Sequence, residues 1–191
     1  MGQYQGDVLD MGTGASPAKT GVEIMSPERV RRTLVRLACE VVERNRGVER
    51  LVVLGIRDRG VMVAERLAGE IRGISGQDVK VFGLDVRPFR DDVERVAASD
   101  ASSPVGVELD VTGYDVLLVD DVLFTGRTAR AALDAVVRLG RPRSIQFVVL
   151  VDRGHREYPI QPDYVGRLIQ TKHRERVEVA TDGTFAVTIN E

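Results

Sequence analysis

The sequence predicts an α/β protein whose mostly parallel sheet is flanked by helices on both faces. Three observations point that way. Short apolar runs of strand length alternate with segments of helical period, as in sheets built from strand, helix and strand units joined by right-handed crossovers. The run SIQFVVLVD, residues 144–152, is too continuously apolar for a strand with one wet face and reads as an interior strand. At 191 residues, 43% of them hydrophobic, the chain is long enough for one substantial core, hence one domain.

Residues 1–21 are rich in Gly, Ser, Thr and Ala, lack apolar periodicity, and are expected to form a disordered extension, leaving 22–191 as the domain. Ser26 ahead of Pro27 marks a helix start, since serine can accept from an otherwise free amide and proline has no amide to lose. Val30, Leu34, Leu37 and Val41 follow at helical spacing as a buried stripe. Residues 51–54 read as a buried strand, GIRDRG (55–60) as a loop, and Val61, Ala64, Leu67 and Ile71 as the inner side of a second helix. After a strand around 79–86 comes a polar connection over 88–113 without a sustained period. Connections that long are usually functional or mobile. A strand at 116–119 then leads into a helix carrying Ala132, Leu133, Val136, Val137 and Leu139, stopped by Gly140 and Pro142. RVEVA (176–180) and FAVTI (185–189), either side of a turn at Asp182 and Gly183, predict a terminal hairpin.

Composition narrows the function classes. Twenty-seven basic and 29 acidic residues give a net charge of -2, against a surface built throughout to hold nucleic acid. The single cysteine, Cys39, cannot form an internal disulfide, and no Cys and His cluster has zinc-ligand spacing, so a reducing, cytoplasmic setting is expected. No apolar run approaches the ~18–20 residues that cross a bilayer, and no signal peptide is legible.

The chemistry concentrates in VLLVDDVLFTGRT, residues 116–128. Four apolar residues run into Asp120 and Asp121 where a parallel strand reaches the ligand-binding edge of the sheet, and two neighbouring carboxylates there need donors or cations to meet them. Thr125, Gly126, Arg127 and Thr128 enter the next helix, where backbone amides, the helix dipole and two hydroxyls suit a monophosphate. Carboxylates repel phosphate but accept from vicinal hydroxyls, so the predicted ligand is a ribose 5-phosphate unit. A second anion loop is expected at GIRDRG, where Arg57 and Arg59 can meet a pyrophosphate.

This segment resembles the phosphoribosyl-pyrophosphate signature of the type I phosphoribosyltransferases. The likeness extends over nearly the whole chain from residue 22. LDVRPFRDD (84–92), RVRRTLVRLACEVVERN (29–45) and above all VDRGHRE (151–157) narrow it to the pyrimidine operon attenuators that also act as uracil phosphoribosyltransferases. The resemblance implies conversion of uracil and phosphoribosyl pyrophosphate to UMP and pyrophosphate. Asp120 and Asp121 would hold the ribose hydroxyls, and Val122, Leu123, Phe124, Thr125, Gly126, Arg127 and Thr128 would wrap the 5-phosphate. Asp58, Arg59 and Arg90 would lie on the pyrophosphate side, Arg90 arriving with the 88–113 loop. Mg²⁺ would be bound mainly through pyrophosphate and ribose oxygens, with no protein metal site. Arg153 and His155 would wall the uracil slot and Val177 would belong to a hood above it. For His155 a structural or RNA-facing place is an equal alternative, and His173 has no assigned role.

The same resemblance implies a pyrimidine operon mRNA leader as partner, with UMP or UTP as signal and Arg31, Arg32, Arg36, Arg156 and Arg167 as RNA contacts. It also implies a homodimer or higher even homo-oligomer. The chain departs from the family pattern at Asp58, where threonine is usual, and at Val35, Cys39 and Gln161 on the RNA side. Two alternatives stay open: an RNA-binding regulator with little catalysis, and a phosphoribosyltransferase for orotate or a purine.

Overall fold

The computed structural model describes residues 21–91, 104–106 and 108–191. In chain order the elements are β1 (Val22–Met25), α1 (Pro27–Asn45), β2 (Leu51–Ile56), α2 (Arg59–Ser75), β3 (Lys80–Leu84), a 3-10 turn (Arg87–Phe89), β4 (Asp115–Leu123), α3 (Arg127–Val137), β5 (Ser144–Asp152), β6 (Tyr164–Leu168), β7 (Arg176–Val179) and β8 (Val187–Asn190). Five strands form one sheet in the order β3-β2-β4-β5-β6, with every neighbouring pair parallel. The remaining three form a small antiparallel sheet in the order β1-β8-β7.

The helices cover both faces of the large sheet, as the alternating pattern predicts. On one face α1 and α2 bury Leu34, Leu37, Val41, Leu67 and Ile71 against Val53, Leu117, Val119 and Leu150. On the other, α3 buries Ala129, Ala132 and Val136 against Val52, Leu54, Leu118, Phe147 and Val149. Successive strand residues point to opposite faces, so β2, β4 and β5 feed two cores at once, and residues 51–54, 116–119 and 147–151 are apolar at every step. Each fully buried aliphatic side chain here contributes about 1.5–3 kcal/mol. Helix α1 starts where its cap predicts, with the Arg29 amide donating to Ser26 Oγ at 3.4 Å.

Several boundaries differ from the sequence reading. The β2 strand reaches Ile56 and α2 begins at Arg59, so GIRDRG supplies a turn of only Arg57 and Asp58. Glycine makes this tightness feasible: a Cβ on Gly55 would lie 2.5 Å from Val61 Cα. The β4 strand continues to Leu123, so Asp120 and Asp121 are strand residues, with Asp120 in register with Val149 of β5. Strands β1 and β6 are additions. The first is only four residues long and half exposed, and the second is an edge strand with only Tyr164 buried, so neither carries a sustained apolar pattern. The expected N-terminal extension, residues 1–20, and much of the 88–113 connection lie outside the described residues. Among the described residues no helix is long and apolar enough to cross a membrane.

Candidate active site

From β2 the chain crosses through α2 to β3 on one side, and from β4 it crosses through α3 to β5 on the other. The turns after these adjacent strands therefore diverge and open a crevice at their carboxyl ends, where such sheets bind ligands. The crevice has two lobes. One, of about 300 Å³, is lined by Arg90, Asp120 and residues 122–128. The other, of about 330 Å³, is lined by Ile56, Arg57, Asp58, Arg59 and Asp121. Arg90, Asp120, Val122 and Thr128 border both.

Between the lobes stand the two aspartates. The Asp121 amide donates to Asp120 Oδ1 at 2.9 Å, and Asp120 is buried. Burial, reinforced by the Asp121 charge next to it, pushes the Asp120 carboxyl well above the ordinary carboxylate range. Asp121 instead faces Arg59, whose Nη1 lies 4.0 Å from Asp121 Oδ2. Gly60 brings the start of α2 against this pair, for a Cβ there would lie 2.7 Å from the Val119 carbonyl oxygen.

On the first lobe Gly126 precedes α3 at φ 90°, a conformation that glycine adopts without strain. The Arg127 amide donates to Thr125 Oγ1 at 3.4 Å, and Arg90 Nη1 donates to Thr128 Oγ1 at 3.0 Å. The positive end of α3, with no acidic residue in its first turn, thus opens onto this lobe. The Arg127 side chain turns outward: Nε donates to Glu157 Oε2 at 2.8 Å, and Nη1 lies 3.3 Å from Asp91 Oδ2. Asp91 also accepts from the Tyr158 hydroxyl at 2.7 Å, which moors the chain next to Arg90. Sequence reasoning misses this tie, because residues 91, 127 and 158 meet only through the fold. On the second lobe the Arg57-Asp58 peptide is cis. Asp58 is exposed, and among the described residues its carboxylate makes no ion pair.

Beyond Phe124 lies an aromatic cluster. The Phe124 ring is 5.8 Å from His155 and 5.3 Å from His173, and the histidines are 5.4 Å apart. His173, which sequence reading passes over, therefore belongs with the other two. His155 Nε2 donates to the Thr171 carbonyl at 2.6 Å. Arg153 is buried with its guanidinium 4.0 Å from the Phe124 ring centroid, and it donates to Thr171 Oγ1 and to the Lys172 and His173 carbonyls. Its place is thus beneath the cluster, holding residues 171–173. Val177, on β7 of the small sheet, packs into the core under α1 and α2.

The arginines suggested for RNA divide. Arg31 and Arg32 are exposed on α1, within 3.4 and 3.8 Å of Glu28. Arg36 donates to the Val165 and Gly166 carbonyls and pairs with Glu40, while Arg167 donates to the Ile24 carbonyl. Arg156 is largely enclosed, its guanidinium taken up by Asp152 and three carbonyls. Among the described residues no group of three His, Cys, Asp or Glu side chains gathers to hold a metal.

An open parallel sheet with an acidic pair at its switch point, flanked by a glycine-containing anion turn and an arginine-bearing one, has the arrangement of a type I phosphoribosyltransferase. Residues 28–182 match the phosphoribosyl transferase domain family. Solved structures of similar fold include the hypoxanthine phosphoribosyltransferases of Trypanosoma cruzi (TM-score 0.66, 18% identity, 89% of this chain and 96% of that one) and Staphylococcus aureus (TM-score 0.67, 19% identity, 88% and 92%). Sequence relatives are much nearer. The Bifunctional protein PyrR of Pelotomaculum thermopropionicum is 49% identical over 91% of this chain and 98% of its own. That of Deinococcus radiodurans is 47% identical over 87% and 92%, and the Pyrimidine operon regulatory protein of Lactococcus lactis is 46% identical over 87% and 95%. The chain belongs to the phosphoribosyl transferase family and, within it, to the PyrR proteins.

Proposed function

We propose that the chain transfers the phosphoribosyl group of phosphoribosyl pyrophosphate to uracil, giving UMP and pyrophosphate, and that it regulates pyrimidine operon mRNA in response to uridine nucleotides. One observation carries the catalytic reading: the acidic pair of buried Asp120 and half-buried Asp121 lies between two anion-facing turns on adjacent strands. In this reading Asp120 and Asp121 accept from the ribose 2′- and 3′-hydroxyls. Such donors relieve the unfavourable burial of Asp120 and restore its charge beneath the sugar. The carboxylates then stabilise the positive charge that develops on the ribose ring as the anomeric bond breaks.

The turn at residues 123–128 receives the 5-phosphate, and Arg57, Arg59 and Arg90 face the pyrophosphate. The exposed Asp58 and the partly buried Asp121 of the second lobe fit an ion held chiefly by ligand oxygens. Bound Mg²⁺ would supply neutralisation of the leaving pyrophosphate. The rings of Phe124, His155 and His173, packed edge to face or tilted, offer an aromatic wall for the base. Exposed Arg31 and Arg32 on α1 offer phosphate contacts to RNA.

Labelled uracil, phosphoribosyl pyrophosphate and Mg²⁺ should yield labelled UMP. Turnover with orotate, hypoxanthine or guanine and none with uracil would assign the site to another base. A pyrimidine-leader RNA should bind more tightly with UMP present, and binding without any turnover would leave a regulator only.

A further inference from the structure

An anion turn works only if its peptide groups present N–H to the ligand and C=O elsewhere. In a trans peptide the two point in opposite directions, so fixing a carbonyl fixes the next residue's amide. Three successive carbonyls of the proposed 5-phosphate turn are fixed by the segment that follows β5. Leu123 O accepts from the Arg153 amide at 3.1 Å, and Thr125 O accepts from the Glu157 and Tyr158 amides at 2.9 and 3.0 Å. Among the described residues the middle one has no backbone partner. Phe124 O accepts instead from Arg156 Nη1 at 2.9 Å.

Arg156 is itself held in place. Its Nη2 pairs with Asp152 at the end of β5, Nε donates to Ile160 O at 2.9 Å, and Nη1 also reaches Gly154 O at 3.3 Å. Residues 153–158 do not line the 300 Å³ lobe, whereas residues 122–128 do. The Phe124 carbonyl thus points away from the cleft, and the Thr125 amide on the same peptide points into it. Among the described residues the Thr125 and Gly126 amides have no acceptor.

We propose that Arg156 is a positioning residue of the phosphoribosyl site: by holding the Phe124 carbonyl outward it aims the Thr125 amide at the 5-phosphate. This rests on the phosphoribosyltransferase reading above. A lysine there keeps the charge beside Asp152 but lacks the planar fork that joins Asp152, Phe124 and Ile160.

The test is calorimetric titration of the full chain, wild type, Arg156→Lys and Arg156→Gln, with ribose 5-phosphate and with pyrophosphate and Mg²⁺, beside steady-state kinetics and thermal melts. Ribose 5-phosphate affinity should fall at least about tenfold in both variants, with pyrophosphate affinity held within about twofold. The KM for phosphoribosyl pyrophosphate should rise accordingly. Where Arg156→Gln fails to fold, Arg156→Lys carries the test. Unchanged ribose 5-phosphate affinity in the folded lysine variant, or equal losses for both ligands, would overturn the proposal. If the wild-type chain binds neither ligand, the phosphoribosyltransferase reading fails first.

Discussion

Asp120 and Asp121 are adjacent in sequence yet sit in opposite electrostatic settings. The first is buried and accepts its neighbour's amide at 2.9 Å, while the second lies 4.0 Å from the Arg59 guanidinium. Burial raises the Asp120 carboxyl, so the folded chain keeps that proton to higher pH than the unfolded chain does. This group therefore makes the protein less stable as pH climbs from the usual carboxylate range through the raised folded value.

Asp120→Asn removes that burden while still offering an oxygen to the Asp121 amide. Its melting midpoint should exceed that of wild type near pH 8, by about 2–4 °C if the relief is about 1 kcal/mol. The gap should close below about pH 3, where both states are protonated. Catalytic efficiency should meanwhile fall by about 10²–10³, as when a preorganised charge is lost. Identical melts at pH 8 would show that ligand-free Asp120 is not under electrostatic strain.

Asp58 puts a negative charge in the lobe proposed for pyrophosphate, with no ion pair to neutralise it among the described residues. Asp58→Thr should leave kcat/KM unchanged or improve it, chiefly through a lower KM for phosphoribosyl pyrophosphate. A large loss of kcat/KM would instead give Asp58 a role in turnover.

Arg31 and Arg32 lie on the outer face of α1 and line neither lobe of the cleft. Replacing both with Gln should leave UMP synthesis intact. The slope of log affinity for leader RNA against log salt should shrink by about 1.4–1.8, the loss of two phosphate contacts. Fluorescence anisotropy across a salt series reads this directly, and an unaltered slope would remove both residues from the RNA interface.

Arg143 tests the opposite end of the sheet. Burial pushes the Asp115 carboxyl up, but hydrogen bonds from Arg143 and Ser144 outweigh it, and the carboxyl ends below its ordinary value. Stability from this pair is therefore present above the unfolded pKa and lost as pH falls through the folded one. Arg143→Met should lower the melting midpoint at neutral pH, with the difference shrinking in acid. Turnover by the folded variant should match wild type, since β4 spans nine residues from Asp115 to its far end at Leu123.

The sequence by itself determined what is local or periodic. The continuous apolar run of β5 follows from its two buried faces, α1 from its cap and stripe, and the acidic pair with its glycine turn from a stretch of thirteen residues. Short edge strands such as β6 carry no comparable signal, because one partner strand and partial burial demand little of their composition. Only the tertiary structure decided which side chains serve the cleft from a distance. Arg156 reads in sequence as an RNA contact, and nothing local links it to the Phe124 carbonyl, 32 positions away, to which it donates. His173 likewise gains a role only when the chain after β6 returns to Phe124. Apolar burial is enforced residue by residue and leaves a period in the chain, whereas a hydrogen bond between distant segments exists only after folding has brought them together.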